Sequence, residues 1–181
     1  MQKGVIIILL TPEKLKEYIS CDESDELLLE KLSSVETMIR SYTHNGFQVR
    51  NIRSVSPVEN QRILCLHKNI TIGDTVQISG SLLNNGVYVI SSVGAEGAKV
   101  NKPLIDCKKN TVTLVRYPDD VILGAVQLIK WSMDNKDKTG VKSERISRHS
   151  VTYFDLDDSN SCMGYPVQML QFLKPYMKAR F

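Results

Sequence analysis

Residues 118–136, PDDVILGAVQLIKWSMDNK, decide how the rest of the chain is read. Apolar residues fall at Ile122, Val126, Ile129 and Met133, with Val121, Ala125 and Leu128 beside them. That is the i, i+3, i+4, i+7 spacing of a helix that buries a broad stripe. Pro118 suits the first helical position, and Asp119 and Asp120 put negative charge where the helix dipole favours it. The segment predicts a core helix that carries the only tryptophan, Trp131, and forms the floor of the fold.

Towards the N-terminus, Thr11-Pro12 opens a short helix with Leu15, Tyr18 and Ile19 as its apolar face. The acidic turn CDESDE at 21–26 leads into a second helix, with Ser24 as cap and Asp25 and Glu26 in the first turn. Leu28, Leu32, Val35, Ile39 and Tyr42 extend it at steps of three and four, to a stop expected near Asn45-Gly46. Asp22, Glu23, Asp25 and Glu26 offer carboxylates to a hard cation, but without spaced ligands they read as a helix start with solvated charge.

From Phe47 to Arg116 the period changes to two. QVRNIRSV, RILCL, DTVQISG, VYVISSV, PLIDC and TVTLVRY are short, rich in β-branched residues and separated by turn residues, which predicts an antiparallel lobe of five or six strands. Asn84-Asn85-Gly86 and Lys108-Lys109-Asn110 are the expected hairpin turns. Basic residues are frequent here, but base stacking would want exposed aromatics between them, and aromatics are few, chiefly Phe47, Tyr88 and Tyr117. The basic face therefore reads as solvated or partner-facing.

Beyond the core helix, residues 140–154, GVKSERISRHSVTYF, fit neither an amphipathic helix nor a good hairpin strand. Ser147, His149, Ser150 and Asp155 raise a hydrolase triad, but there is no nucleophile elbow, and adjacent residues of an extended run point to opposite faces. Residues 155–160 read as a polar surface loop. The C-terminal stretch places Met169, Leu170, Leu173, Tyr176 and Met177 at helical spacing, with Pro175 bending or restarting the helix.

Composition narrows the class. A net charge of +3 is too weak to argue for a nucleic-acid binder, and 42% hydrophobic with 24% charged is ordinary for a globular chain. The apolar run at 5–10 is too short to span a bilayer and is followed by Pro12 and charges, so neither a signal peptide nor a membrane segment is expected. It reads as an edge strand or an extension packing on a neighbour. Cys21, Cys65, Cys107 and Cys162 form no CxxC pair, so neither disulfides nor zinc are indicated, and a reducing compartment fits. No cofactor and no metal is expected.

The order of these elements, with Ser143-Glu144, Ile146, Ser150-Val151-Thr152-Tyr153 and then Gly164-Tyr165-Pro166 before a Leu-rich helix, resembles the head-tail adaptor proteins of tailed phages. These are also called connector or head-completion proteins. The likeness covers roughly residues 11–46 and 118–181; the chain departs from it over 47–116, where many members have a short loop. Taken with the period-two stretch, it gives an α+β fold: a small bundle of about four helices (residues 1–46 and 117–181) with an inserted antiparallel β domain (47–116), barrel-like or sandwich-like. It implies a non-enzymatic virion protein assembled in the bacterial host cytoplasm: a homo-oligomeric ring, usually of about twelve copies, beneath the portal protein. Such a ring holds a stopper or tail-completion protein and lets double-stranded DNA pass without sequence-specific binding. Lys142, Ser143, Glu144, Arg145, Ile146, Arg148, Ser150, Val151, Tyr153, Tyr165, Pro166, Tyr176, Met177, Arg180 and Phe181 are the expected subunit and portal contacts. Residues 142–154 and 165–181 are expected to be loose in a lone subunit and fixed on assembly. A conduit must not grip its cargo, so the lumen is expected to be neutral or acidic, with the start of the second helix as a candidate and the basic lobe facing outward. Two other readings have clear marks: a stopper or tail-completion protein of the same connector, or a nucleic-acid-binding β lobe.

Overall fold

The structure is a computed structural model that describes residues 9–136, 143–146, 149–152 and 161–179, with the backbone alone for 143–146 and 149–152. Most of the apolar run at 5–10, the polar loop at 155–160, and Lys142, Arg148, Tyr153, Arg180 and Phe181 lie outside the described residues. The fold is mixed α+β, with three α-helices, a 3-10 helix and a six-stranded antiparallel sheet among the described residues. The chain divides into two compact units, one holding Asn45–Tyr117, the other Leu9–His44 and Pro118–Phe181.

In the helical unit, α1 (Pro12–Tyr18) starts as the sequence predicts, with the Thr11 hydroxyl accepting from the Lys14 N–H at 3.4 Å. Helix α2 (Asp25–Thr43) is capped in the same way by Ser24, whose hydroxyl accepts from Leu27 N–H. It ends earlier than expected: His44 takes the left-handed conformation at φ 50°, while the Asn45 side chain accepts from Phe47 N–H and shapes the exit. Leu28, Leu32 and Ile39 on α2 are fully buried, each contributing about 1.5–3 kcal/mol relative to exposure.

Helix α3 (Asp119–Asp134) has the expected extent, but Pro118 is its cap residue, one position before the first turn. Its buried stripe runs through Val121, Gly124, Ala125, Val126, Leu128 and Ile129; of the expected line Val126 and Ile129 are buried, while Ile122 and Met133 are only half-buried. The C-terminal segment also differs from expectation. Val167–Tyr176 forms a 3-10 helix with Pro175 inside it. At three residues per turn Val167, Leu170, Leu173 and Tyr176 share one face, and Leu170 and Leu173 are fully buried. A short apolar pattern spaced by three and four fits either helix type, and packing chose the tighter one.

This 3-10 helix packs on α3 and α2. A methyl group at Gly124 would sit 2.4 Å from the Phe172 ring, so the missing side chain is what lets the two helices meet. The chain continues back along α2, where Lys178 N–H donates to the Thr43 carbonyl at 2.8 Å. Residues 143–152 were expected to be irregular, yet β7 (Ser143–Ile146) and β8 (His149–Thr152) pair antiparallel, Ser143 opposite Thr152. Strands β9 (Ser161–Cys162) and β10 (Tyr165–Pro166) form a second hairpin, turned by Met163 and Gly164 at φ 53° and 83°.

The other unit is a closed sheet in the order β1-β2-β5-β4-β3-β6, with β6 pairing back to β1. Its strands are β1 (Gln48–Glu59), β2 (Arg62–Ile63), β3 (Thr75–Ser79), β4 (Gly86–Gly94), β5 (Gly97–Val100) and β6 (Cys107–Val115). Val58, Ile63, Val76, Ile78, Ile90, Val112 and Leu114 fill its interior at alternate positions. Pro57 sits at an irregularity of the β1–β6 ladder, where a residue without an N–H is tolerated. Phe47, at φ 51°, is held in an unfavourable backbone state by its ring contact with Tyr117, centroids 4.5 Å apart, and by the Arg116 N–H on its carbonyl.

Both expected hairpin turns are corrected. Lys108, Lys109 and Asn110 are strand residues of β6. Between β3 and β4 the positive φ falls on Gly80, while Asn84 and Asn85 act through their side chains. PLIDC is extended only from Cys107, and β5 was not anticipated because GAKV carries little β-branched signal. The two-residue turn between β1 and β2 uses Asn60 and Gln61, both at positive φ.

Two glycines test this packing. Gly97 has φ +107°, and a methyl group there would lie 2.5 Å from the Ile63 carbonyl oxygen. Gly97→Ala is expected to lower unfolding stability by about 2–3 kcal/mol, from clash and backbone strain. Gly94→Ala, in open space, should stay within about 0.5 kcal/mol in the same urea titration. Gly124→Ala should destabilise despite a helix-propensity gain of about 1 kcal/mol, and become stabilising in a Phe172→Ala background.

Candidate interaction surfaces

The expected contact residues divide by what holds them. Ser143, Glu144, Arg145 and Ile146 lie in β7, and Ser150 and Val151 in β8, so the hairpin places them in two facing rows. Tyr165 and Pro166 form β10 and are drawn into the subunit: Pro166 is buried, and the Tyr165 ring stands 5.6 Å from Trp131. Burial raises the Tyr165 phenol pKa, partly offset by a hydrogen bond with Ser132. Met177 is half exposed at the end of the 3-10 helix.

Tyr176 is engaged within the same unit. Its hydroxyl donates to both oxygens of Asp120 at 2.8 Å, tying the last turn of the 3-10 helix to the first turn of α3. That hydrogen bond raises the phenol pKa, because ionisation would leave a phenolate beside a carboxylate. With Leu170, Leu173 and the Lys178–Thr43 bond, this packs residues 165–178 within the helical unit.

The acidic turn is not a uniform negative face. Lys31 holds both oxygens of Glu23 at 2.6 Å, and Lys16 reaches Asp25 at 2.7 Å, joining α1 to α2. The Asp25 hydrogen bond is the main cause of a raised Lys16 pKa. Charge is nonetheless unevenly spread along the chain. Residues 9–44 carry Glu13, Glu17, Asp22, Glu23, Asp25, Glu26, Glu30 and Glu36 against Lys14, Lys16, Lys31 and Arg40. Residues 45–117 carry Arg50, Arg53, Arg62, Lys68, Lys99, Lys102, Lys108, Lys109 and Arg116 against Glu59, Asp74, Glu96 and Asp106. The sheet unit thus has five more positive than negative side chains, and the first helical segment four more negative than positive.

The feature that the sequence did not reveal is the loop between β3 and β4, residues 80–85. Asn84 is 2% exposed; its amide oxygen accepts from Ile105 N–H at 2.9 Å and its amide nitrogen donates to the Ile105 carbonyl at 2.7 Å. Ser81, also buried, accepts from Asn84 N–H, and Asn85 accepts from Ser81 N–H. While Ser81 and Asn84 are held inside, Leu82 is 98% exposed, Leu83 59% and Ile105 53%. An Asn-rich loop reads as an ordinary turn in sequence; the inward amide contacts that turn its leucines outward are tertiary.

An open groove of about 250 Å³ on the same unit is lined by Asn60, Gln61, Lys99, Asn101 and Lys102 among others. The His67 ring serves a local turn, its Nδ1 accepting from Asn69 N–H at 3.2 Å. Among the described residues no group of three His, Cys, Asp or Glu converges to hold a metal ion, and no helix is long and apolar enough to cross a membrane. No protein family and no curated protein shows a significant match to the chain.

The Tyr176–Asp120 bond predicts a titration. The folded-state pKa is raised, so its stabilisation is complete below the unfolded phenol value of about 10 and fades as pH rises through the folded value. Ultraviolet difference titration of the wild type against Tyr176→Phe should show one phenol ionising above the usual range. Asp120→Asn should bring that phenol back down.

Proposed function

We propose that this chain is a structural, non-catalytic virion protein: a head-tail adaptor of a tailed phage that joins the portal to a stopper or tail protein as a homo-oligomeric ring. What supports the reading most is the way residues 9–44 and 118–179, the two parts that carry the resemblance, pack as one helical unit with the sheet as the excursion between them. Each end of the chain depends on the other: the 3-10 helix is held by α3 and α2, and Lys178 closes on Thr43. A framework of this kind presents fixed helix faces to neighbours around a cyclic axis.

In this reading the β7–β8 hairpin and the exposed end of the 3-10 helix, including Met177, meet the portal or the next subunit. DNA passes along a wall poor in lysine and arginine, because each phosphate contact would add salt-dependent affinity and slow its passage. The particle is assembled in the host cytoplasm and the protein ends in the virion. A stopper or tail-completion role in the same connector is the second reading, favoured by the closed sheet and its apolar loop.

Native mass measurement with the purified portal protein tests this. A stoichiometric ring of this chain on the portal is the expected outcome. Binding only to a preformed adaptor–portal assembly would move the assignment to the stopper, and tight, steeply salt-dependent binding of DNA by the lone chain would replace both.

A further inference from the structure

We infer that the loop at 80–85 is a preformed docking knob and that its occupant is a second copy of this chain. The inference deepens the adaptor reading by naming one contact between subunits. Single exposed apolar residues are ordinary on protein surfaces. Here Leu82 and Leu83 belong to one short loop, and Ile105 is tied to that loop because the Asn84 amide clasps both of its backbone groups. The loop therefore presents its leucines without a further ordering cost on binding, the condition under which a small apolar surface yields affinity. A lipid surface would not require that fixed shape.

Charge selects the partner. Cys107, whose sulfur accepts from the Asn84 side chain at 3.3 Å, is followed at once by Lys108 and Lys109, both exposed. Neither lysine is in an ion pair among the described residues. The nearby Asp106 carboxylate already accepts from Gln61 N–H at 3.1 Å. A basic-edged apolar knob calls for an apolar surface edged with carboxylates. Residues 9–44 of the same chain supply that chemistry: Glu23 and Asp25 are held by Lys31 and Lys16, but Glu26 and Glu30 are exposed and in no ion pair among the described residues, and the segment exposes Tyr18 (48%) and Leu27 (39%). Knob and acceptor are different surfaces, so the contact runs head to tail, the kind that closes rings or extends filaments.

Sedimentation of the full chain at concentrations up to about 100 μM tests it, at low salt and at roughly 0.5 M salt, where exposed charges are largely screened. The wild type should exceed its 20.4 kDa monomer mass at low salt and return towards it at high salt. Leu82→Ser/Leu83→Ser and, separately, Lys108→Glu/Lys109→Glu should remain monomeric with an unchanged unfolding midpoint. Adding Glu26→Lys to the lysine-reversed chain should restore association. Wild type that is monomeric throughout, association unaffected by the leucine changes, or leucine-dependent binding to phosphatidylserine vesicles without self-association would each overturn the knob. If a ring still forms on the portal with the leucine-substituted chain, the knob contact fails and the adaptor reading stands.

Discussion

The Phe172 ring occupies a notch in α3 that exists because residue 124 has no side chain, and the helical unit depends on that approach. A helix-interior glycine costs about 1 kcal/mol relative to alanine. Here it is offset by letting a 3-10 helix lie close enough for Leu170 and Leu173 to lose all solvent contact. Once that helix is seated, Tyr176 reaches Asp120 and Lys178 reaches Thr43, so an apolar contact sets the position of the polar ones. The exposed Lys16–Asp25 pair, by comparison, contributes little to stability.

The sheet unit reverses that order. Its apolar interior is filled by regular alternation, and what individualises it is polar. Asn84 reads the Ile105 peptide, Ser56 accepts from Cys65 N–H, and Asn110, fully buried, donates to Cys107 sulfur at 2.8 Å. Such groups are costly to bury unless bonded, so Asn84 and Ser56 each fix the backbone that they touch, whereas the Asn110 amide oxygen is buried without a partner among the described residues. The consequence for binding is direct: the same amide that satisfies Ile105 holds two leucines out in water.

In the proposed reading, function rests on surfaces. The exposed leucines of the loop at 80–85 and Met177 at the end of the 3-10 helix are the surfaces on which that reading draws, and opposite charge surpluses sit on different parts of one chain. A protein organised in this way gains specificity from shape and from where its charges meet their complement.

Local chemistry made much of the fold readable from sequence. Thr11 and Ser24 cap because a hydroxyl before a helix accepts from its unpaired N–H groups, and α2 and α3 follow from apolar spacing sustained over several turns. The six-stranded region was visible as period two. Sequence could not say where the positive φ angles would fall, which moved from Asn84-Asn85-Gly86 to Gly80, nor that residues 143–146 and 149–152 would pair, nor that residues 167–176 would wind as a 3-10 helix. Those outcomes depend on partners distant in the chain: Ile105 for Asn84, Gly124 for Phe172, Asp120 for Tyr176. Periodicity reports which face is apolar, whereas the exact neighbour that the face meets is fixed only when the chain has closed on itself.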